Sequence, residues 1–246
     1  MCNLAGSRVV VTRAIHQAGE LARPLSKFGA EVLLAPMIEI GPPVDIAPLR
    51  EAAAQCDQYD WIIFSSVNAV NAFAAELSVP KPACAPVAVI GEATRQAAEA
   101  SGFVVSLIPE KYVAESLIDA FGSEDLRGKR LLIPSAAVTR DLIPSALGQH
   151  GAQVEVVEAY RNTIPSGALE RAAEVFCEPL PDWVTFASSS AVEHAVEIVK
   201  LGPLQRMKLA SIGPVTSKTA LKYGLKVTAE AKVHTAEGLV AAICDR

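Results

Sequence analysis

The sequence predicts an α/β protein with parallel sheets, arranged as two domains related by internal duplication. Short β-rich apolar runs alternate with helical patterns, beginning with RVVVT, a helix around 18–28 and then EVLLAP. Alternation of this kind is typical of parallel sheets covered by helices. One half of the chain also repeats the other, and its 246 residues suit two domains of common size.

The duplication is visible in DWIIFSSVNAV at Asp60, which recurs as DWVTFASSSAV at Asp182, a shift of 182 − 60 = 122 positions. The same shift aligns further segments without a gap: GSRVVVTR with GKRLLIPS, FGAEV with HGAQV, VAVIGEAT with LASIGPVT, and AESLIDA with AEGLVAA. Chance matches would drift in register, whereas these keep one offset. The pattern therefore indicates duplicated domains.

The remaining elements follow the same rhythm. Further strand-like runs are WIIFS, VAVI and FVVSLIP, each followed by an amphipathic segment. Glycines that follow helical stretches predict left-handed helix ends at Gly29, Gly102, Gly151 and Gly224. Two breaker-rich passages follow the second strand of each copy, APMIEIGPPVDIAP and AYRNTIPSGA, and predict linkers or a hinge. A third, VPKPACAP, predicts a surface loop.

Composition argues against several classes of protein. The net charge of −5 and the absence of a basic stripe argue against nucleic-acid binding. No apolar stretch is long enough for a membrane span, and the start of the chain lacks a signal-peptide pattern, so we expect a cytoplasmic protein. An odd number of cysteines without CxxC spacing argues against a disulfide framework, and most are expected to be buried: Cys2, Cys56, Cys84, Cys177 and Cys244.

The loops that follow the strands are the place to expect a ligand, since open parallel sheets bind ligands beyond the carboxyl ends of their strands. These loops are rich in glycine and hydroxyl residues, as in SSVN, GEAT, SSSA and GPVT. Such residues cap helix starts, whose free N–H groups attract anions. For any single loop, ordinary capping explains the same residues; it is their recurrence that favours an anion-binding surface.

Familiar catalytic motifs are absent: the sequence contains no GxxxxGK[ST], HExxH or GxSxG, and no GxGxxG follows the first strand. The histidines show no metal-ligand spacing, so no metal site is expected. Charged residues near the loops are few, and each also fits a solvated helix start: Arg13, Glu92, Lys111, Glu115, Arg140 and Glu237.

Taken in order, the segments VVVTRA, YDWIIFSSVNAV, VAVIGEAT, VEVVEAYRNTIP, WVTFASSSAV, ASIGPVTSKTALKYG and HTAEGLVAAI resemble those of the uroporphyrinogen-III synthase family. The resemblance covers nearly the whole chain. It implies two flavodoxin-like domains joined by a two-strand hinge, with the chain crossing between domains. One domain would comprise 1–39 and 166–246, the other 41–163, with the hinge near 36–43 and 159–166.

The resemblance also implies a reaction. The family cyclises hydroxymethylbilane, a linear tetrapyrrole with eight carboxylates, in the cleft between its domains, with loss of water and inversion of the last pyrrole ring. No cofactor and no metal are implied. A tyrosine near the crossing strand is the favoured proton donor to the departing hydroxyl, and it matches Tyr160. The repeat counterpart of Tyr160 is Ile38, since 160 − 122 = 38, so the phenol is an asymmetric feature.

The family's substrate-binding positions match a set of loop residues in both copies. These are Thr12, Arg13, Ser65, Ser66, Asn68, Gly91, Thr94, Ser135, Ser188, Ser189, Gly213 and Thr216. Most of them can donate a hydrogen bond from a neutral hydroxyl or from a backbone N–H. Such donors can bind a polyanion even when the protein as a whole is not basic.

Two other functions remain open at this point. A non-enzymatic two-domain ligand binder, similar to periplasmic binding proteins, would also have duplicated halves and a hinge. A family member that keeps the fold only as an interaction module is the other. Expected partners are the tetrapyrrole substrate and, transiently, hydroxymethylbilane synthase; no nucleic acid and no membrane are expected, and the protein is expected to be monomeric.

Overall fold

The computed structural model describes residues 3–78, 83–111, 113–137 and 142–246. The strands are β1 Arg8–Val11, β2 Glu31–Leu34, β3 Glu39–Gly41, β4 Trp61–Phe64, β5 Val87–Val89, β6 Val105–Leu107, β7 Arg130–Ala136, β8 Gln153–Thr163, β9 Trp183–Phe186, β10 Lys208–Ser211 and β11 Val227–Glu230. Within the described ranges, no helix is long and apolar enough to cross a membrane.

The helices lie between the strands. They are α1 Ile15–Lys27, α2 Ala47–Ala54, α3 Val67–Ala75, α4 Glu92–Ala100, α5 Ala114–Ala120, α6 Leu142–Gln149, α7 Ala168–Val175, α8 Ser189–Val199, α9 Leu201–Gln205, α10 Pro214–Lys222 and α11 Ala236–Cys244. A single 3₁₀ turn, Phe121–Ser123, follows α5 among the described residues. The predicted alternation of strand and helix is confirmed.

The chain forms two compact units. Unit 1 contains 1–39 and 163–246, and unit 2 contains 40–162. The sheet of unit 1 has the strand order β11-β10-β9-β1-β2, and that of unit 2 has β3-β8-β7-β4-β5-β6. The chain thus leaves unit 1 within β3 and returns to it at the end of β8.

The two sheets are copies of one arrangement. A shift of 122 positions carries β1 and β2 onto β7 and β8, and β4, β5 and β6 onto β9, β10 and β11. If the strands of each sheet are numbered 1 to 5 so that strands related by the shift share a number, β1, β2, β9, β10, β11 in unit 1 and β7, β8, β4, β5, β6 in unit 2, both sheets have the spatial order 2-1-3-4-5. This is the flavodoxin-like order. Strand β3 is an additional strand at one edge of unit 2. Each sheet combines strands from both copies, and the fold class predicted from the sequence is confirmed.

Parallel pairing explains the apolar composition of the strands. The pairs β1 with β9 and β4 with β7 are parallel, and they use equivalent registers, Val9 opposite Trp183 and Leu131 opposite Trp61. Strand β9 is buried along its whole length, as expected for a strand covered by helices on both faces. In unit 2 the core includes a cluster of Phe64, Phe73 and Phe103, whose ring centroids lie 5.4–6.1 Å apart.

Glycine ends the helices as predicted. Gly29, Gly102, Gly151 and Gly224 all have positive φ, between 71° and 92°. Side chains are strained in that conformation, so glycine stops the helix at low energetic cost and turns the chain toward the next strand.

The expectation for the cysteines was wrong. Cys56 and Cys84 form a disulfide across 28 positions, with their Cα atoms 4.8 Å apart. The N–H of Ala85 donates to the carbonyl of Cys56 at 2.9 Å, and this backbone contact brings the two thiols together. Such a tertiary contact has no spacing signature in the sequence. Cys56 is buried as expected, whereas Cys177 is an exposed free thiol. Cys2 and part of VPKPACAP, 79–82, lie outside the described residues.

Candidate functional site

The predicted site residues lie at the carboxyl ends of the strands in both units. In unit 1, Thr12 and Arg13 follow β1, Ser188 and Ser189 follow β9, and Gly213 and Thr216 follow β10. In unit 2, Ser65, Ser66 and Asn68 follow β4, Gly91 and Thr94 follow β5, and Ser135 and Tyr160 lie near the ends of β7 and β8. Because parallel strands end at one edge of a sheet, each unit collects its own set along that edge.

Two of these serines are helix caps with the same geometry. The Ser66 Oγ accepts a hydrogen bond from the Ala69 N–H at 3.2 Å, at the start of α3. The Ser188 Oγ accepts one from the Ala191 N–H at 3.2 Å, at the start of α8. Each hydroxyl satisfies one of the N–H groups that a helix start leaves without an intrahelical acceptor. The duplication therefore preserved the caps at the level of single bonds.

Two glycines begin helices α4 and α10 without a side-chain cap. Gly91 has a φ of 95°, which favours glycine, while Gly213 is extended. At Gly213 space is the constraint, since an added Cβ would lie 3.0 Å from the ring of His234. Thr94 and Thr216 are buried in the first turns that follow.

Two predicted binding residues use their hydroxyls inside the protein. Thr12 is fully buried, and its Oγ1 donates to the Thr185 carbonyl at 2.6 Å. The Thr185 hydroxyl donates in turn to the Val10 carbonyl at 2.8 Å, so this pair links β1 to β9. Ser135 is 3% exposed, and its Oγ donates to the Ala136 carbonyl at 3.2 Å. Their place in substrate binding stays a prediction.

The loop after β1 carries a cation with a close partner. The Arg13 guanidinium lies 2.9 Å from the Glu20 carboxylate, and its side chain is 19% exposed. Ser189 accepts a hydrogen bond from the Thr219 hydroxyl at 2.9 Å. The sequence gives no signal for Glu20 or Thr219, because both lie on helices, where a polar residue is ordinary.

Tyr160 owes its position to an irregularity in β8. Ser135 pairs with Glu158, but Ala136 pairs with Tyr160, so Ala159 is an extra residue in β8. Such a bulge redirects the side chains that follow it. The half-buried ring of Tyr160 packs against the apolar core of unit 2, and its Oη lies 3.1 Å from the Ser66 Oγ. The structure thus joins two predicted site residues that are 94 positions apart.

Hydrogen bonds from arginines lower the pKa of two carboxylates, one at the start of α4 and one in β8. At the start of α4, hydrogen bonds from Arg95 and then Gln96 lower the pKa of Glu92 to about 2. Two residues before Tyr160, the hydrogen bond from Arg161 holds the pKa of Glu158 below its usual range. Both groups are therefore carboxylates at neutral pH. Arg140 lies outside the described residues, and the described ranges contain no group of His, Cys, Asp and Glu that could hold a metal.

Comparison with known proteins assigns the chain to a family. A family model described as Uroporphyrinogen-III synthase HemD matches residues 19–241, most of the chain. The chain belongs to the uroporphyrinogen-III synthase family. It is 34% identical over 253 residues to the Uroporphyrinogen-III synthase of Synechococcus elongatus, covering 98% of this chain and 95% of that one. It is 30% identical to a Putative uroporphyrinogen-III synthase of Methanothermobacter thermautotrophicus, with 96% of each covered.

Solved structures of the family share the fold. A mutant uroporphyrinogen III synthase from Thermus thermophilus superposes with a TM-score of 0.69 at 17% identity, covering 97% of each chain. The uroporphyrinogen-III synthetase of Helicobacter pylori gives 0.64 at 17% identity, covering 98% of this chain and 99% of that one. At this identity the structures establish the two-sheet α/β fold. The family and its relatives establish the activity, that of a cyclising lyase of tetrapyrrole biosynthesis.

Proposed function

We propose that this member of the uroporphyrinogen-III synthase family cyclises hydroxymethylbilane with Tyr160 as the proton donor. The hydrogen bond between the phenol of Tyr160 and Ser66, at the edge where the binding loops meet, carries the proposal. The family match makes the competing interpretation, a two-domain ligand binder without turnover, the less favoured one.

Neutral donors suit the substrate, a linear tetrapyrrole with eight carboxylates. Helix starts present N–H groups and a partial positive charge of about half an elementary charge. Helices α3, α4, α8 and α10 all begin at proposed binding residues. A protein with a net charge of −5 can therefore hold a polyanion, since the local field is set by backbone donors and not by net charge.

The proposed reaction requires one proton, delivered to the oxygen of the substrate's departing hydroxyl. Tyr160 gives its phenolic proton to the hydroxyl on the terminal carbon of the substrate, the C–O bond breaks, and water leaves. The resulting azafulvene cation is attacked by the substituted carbon of the last ring, which gives a spiro intermediate. The bond between that carbon and its original bridging carbon then breaks, and the freed bridging carbon bonds to the unsubstituted α-carbon of the same ring. That α-carbon loses its proton, which restores the aromatic pyrrole and returns a proton to Tyr160. A phenol O–H is a hydrogen-bond donor and can act as a general acid in this way.

Most of the catalysis in this proposal is positioning. The pyrrole expels its hydroxyl readily, so the protein's task is to direct attack to the substituted carbon. Holding reacting atoms in place contributes several kcal/mol, about the amount needed to choose one ring closure over another.

The experiment is a product analysis. The purified protein is supplied with hydroxymethylbilane made in place, the products are oxidised, and uroporphyrins I and III are separated by chromatography. We expect isomer III to predominate without an added cofactor or metal. Isomer I at the level of the enzyme-free control would mean that this chain keeps the family fold without its reaction.

Three further expectations from the sequence stay predictions. They are a cytoplasmic location, a monomeric state, and transient contact with hydroxymethylbilane synthase, which would deliver an unstable substrate directly. A change in the isomer ratio when the two enzymes are mixed, compared with addition of preformed substrate, would support the last of these.

A further inference from the structure

We propose that Ser66 is a positioning residue for Tyr160, and that its hydroxyl donates to the phenol oxygen so that the phenol's own proton faces the departing hydroxyl of the substrate. This inference rests on the proposed function, in which Tyr160 is the proton donor. It gives Ser66 a role that acts through Tyr160 instead of a direct contact with substrate.

The hydrogen bonds at Ser66 limit the possible arrangements. A serine hydroxyl has one proton and two lone pairs. One lone pair accepts the Ala69 N–H at 3.2 Å, which leaves the proton and one lone pair for Tyr160, 3.1 Å away. Either Tyr160 donates to Ser66, or Ser66 donates to Tyr160.

Only the second arrangement is compatible with proton donation by Tyr160. When the phenol gives its proton to the leaving group, its oxygen can only accept from Ser66. Negative charge then grows on the phenol oxygen, and the bond from Ser66 becomes charge-assisted and stronger. The Ala69 N–H polarises the same hydroxyl, and the N-terminus of α3 favours negative charge nearby. Ser66 therefore stabilises the state that forms as the proton leaves.

The surroundings hold both partners still. Ser66 is an extended cap residue, with φ −156°, between the buried strand β4 and helix α3. The ring of Tyr160 packs against the core of unit 2. The backbone carbonyl of Tyr160 accepts a hydrogen bond from the Ala137 N–H at 3.1 Å. A hydroxyl fixed at both ends has few alternative orientations, so the Ser66 bond decides where the phenol proton lies.

The duplication provides a matched control. Ser188 caps α8 with the same 3.2 Å bond that Ser66 makes to α3. The residue equivalent to Tyr160 in that unit is the buried Ile38, which has no hydroxyl. The cap is common to both units, whereas the phenol belongs to one. An effect of Ser66 that goes beyond capping should therefore be missing at Ser188.

The test measures isomer III formation for Ser66→Gly, Ser66→Thr, Tyr160→Phe and the Ser66→Gly/Tyr160→Phe double variant. Glycine is tolerated at a helix N-cap at a cost of only a few tenths of a kcal/mol, so it removes the hydroxyl and largely keeps the cap. We expect Ser66→Gly to lower kcat by roughly tenfold or more, with KM changed less than about threefold. Threonine should restore kcat to within about threefold of wild type, because it keeps the hydroxyl.

Coupling is the decisive readout. If Ser66 acts through Tyr160, the double variant should be no slower than Tyr160→Phe alone. Ser188→Gly should instead act mainly on KM, and its effect should multiply with that of Tyr160→Phe. In the Tyr160→Phe background, where the Ser66–Tyr160 bond is already absent, Ser66→Gly and Ser188→Gly should lower the melting temperature by similar amounts, which separates capping from positioning.

The failures are distinguishable. If Tyr160→Phe lowers kcat but Ser66→Gly does not, the positioning role is overturned and the proposed function stands. Multiplied losses in the double variant would also overturn it, since Ser66 would then act independently of the phenol. If Tyr160→Phe leaves kcat unchanged, the proton-donor role fails and the inference fails with it.

Discussion

Tyr160 lies in one copy of the duplication at the position where the other copy has Ile38. Tyr160 packs against the apolar core of unit 2 and Ile38 is a buried apolar side chain, so packing alone does not require a hydroxyl at this position. A phenol oxygen that packing does not require, hydrogen-bonded to a helix cap beside the proposed binding loops, is best explained by a role in the proposed reaction.

We predict that Tyr160→Phe lowers kcat by roughly tenfold to a hundredfold, because a positioned general acid contributes on the order of a hundredfold or more and this leaving group partly departs unaided. The ring remains, so binding and fold should persist, with a stability loss of about 1 kcal/mol for the missing hydrogen bond. Single-turnover rates and a thermal melt measure the two effects. An unchanged rate would rule out proton donation.

A second prediction at this scale concerns two glycines that both have positive φ but differ in the room available for an added Cβ atom. Gly29 and Gly224 both have positive φ, but a Cβ at Gly29 would lie 3.3 Å from the backbone of Ala5, whereas nothing lies within 4 Å at Gly224. We expect Gly29→Ala to lower the free energy of unfolding by roughly 2–3 kcal/mol, and Gly224→Ala by roughly 1–2 kcal/mol. Urea unfolding compares them, and equal losses would contradict the argument from space.

At the scale of single residues, the residue types at helix ends and strand ends were predictable from the sequence, whereas their contacts were not. The glycine helix ends are confirmed, because a left-handed residue has a direct sequence signature. The Ser66–Tyr160 bond was missed because it depends on the bulge at Ala159. The sequence predicted that Thr12 and Ser135 lie at or near strand ends, but it did not predict where their hydroxyls point. That direction depends on which carbonyl of a neighbouring strand lies within reach.

At the scale of elements, equivalent carboxylates tie the strand starts together. The Asp60 carboxylate accepts the Arg130 N–H at 2.9 Å, which joins the start of β4 to β7. The Asp182 carboxylate accepts the Arg8 N–H at 2.8 Å, which joins the start of β9 to β1. These bonds sit at the equivalent position in both units, and each links one copy of the sequence to the other.

We predict that Asp60→Asn reduces the loss of folding stability that the protein undergoes when the pH is lowered. Hydrogen bonds from Lys129 and then the Arg130 N–H hold the pKa of Asp60 below its ordinary value of 3.8. A carboxyl with a lowered folded-state pKa stabilises the protein above its unfolded pKa, and this contribution is lost as the pH falls through the folded value. The variant should be less stable at pH 7.

Melting temperatures at pH 7 and at about pH 3 provide the measurement, since the second pH lies below the ordinary pKa of an aspartate, where the unfolded carboxyl is mostly protonated. The wild type should lose more stability than Asp60→Asn between these two conditions. A parallel loss in both proteins would show that the Asp60 carboxylate is not linked to folding.

Elements were predictable where local pattern decides them. The apolar runs that predicted strands became strands, because continuous burial under helices selects such runs in parallel sheets. The Cys56–Cys84 bond escaped prediction, since it depends on how the segment before β5 lies against the end of α2. Sequence spacing does not encode that contact.

At the scale of the whole molecule, the exchange of strands between copies could not be derived from pattern. Strand β1 pairs with β9 in the register that β7 uses with β4, Val9 opposite Trp183 and Leu131 opposite Trp61. The duplication makes the partners interchangeable, so local pairing preferences do not distinguish an exchanged from an unexchanged arrangement. Only the resemblance to a known family supplied this feature.

The exchange leads to a prediction about fragments. Unit 2 is one continuous stretch, 40–162, and its buried clusters around Phe64 and around Phe121 draw only on residues within it. A domain with its own core and a closed set of strand partners folds alone. We therefore expect the isolated fragment 40–162 to unfold cooperatively on heating, as followed by circular dichroism.

The same fragment separates folding from function. It keeps Ser66 and Tyr160 but lacks Arg13, Ser188, Gly213 and the other proposed binding residues of unit 1. If substrate is held by loops from both units, the folded fragment should release only isomer I, at the enzyme-free level. A fragment that folds and still yields isomer III would place recognition of the tetrapyrrole in unit 2 alone, because the helix starts of unit 1 would then be dispensable.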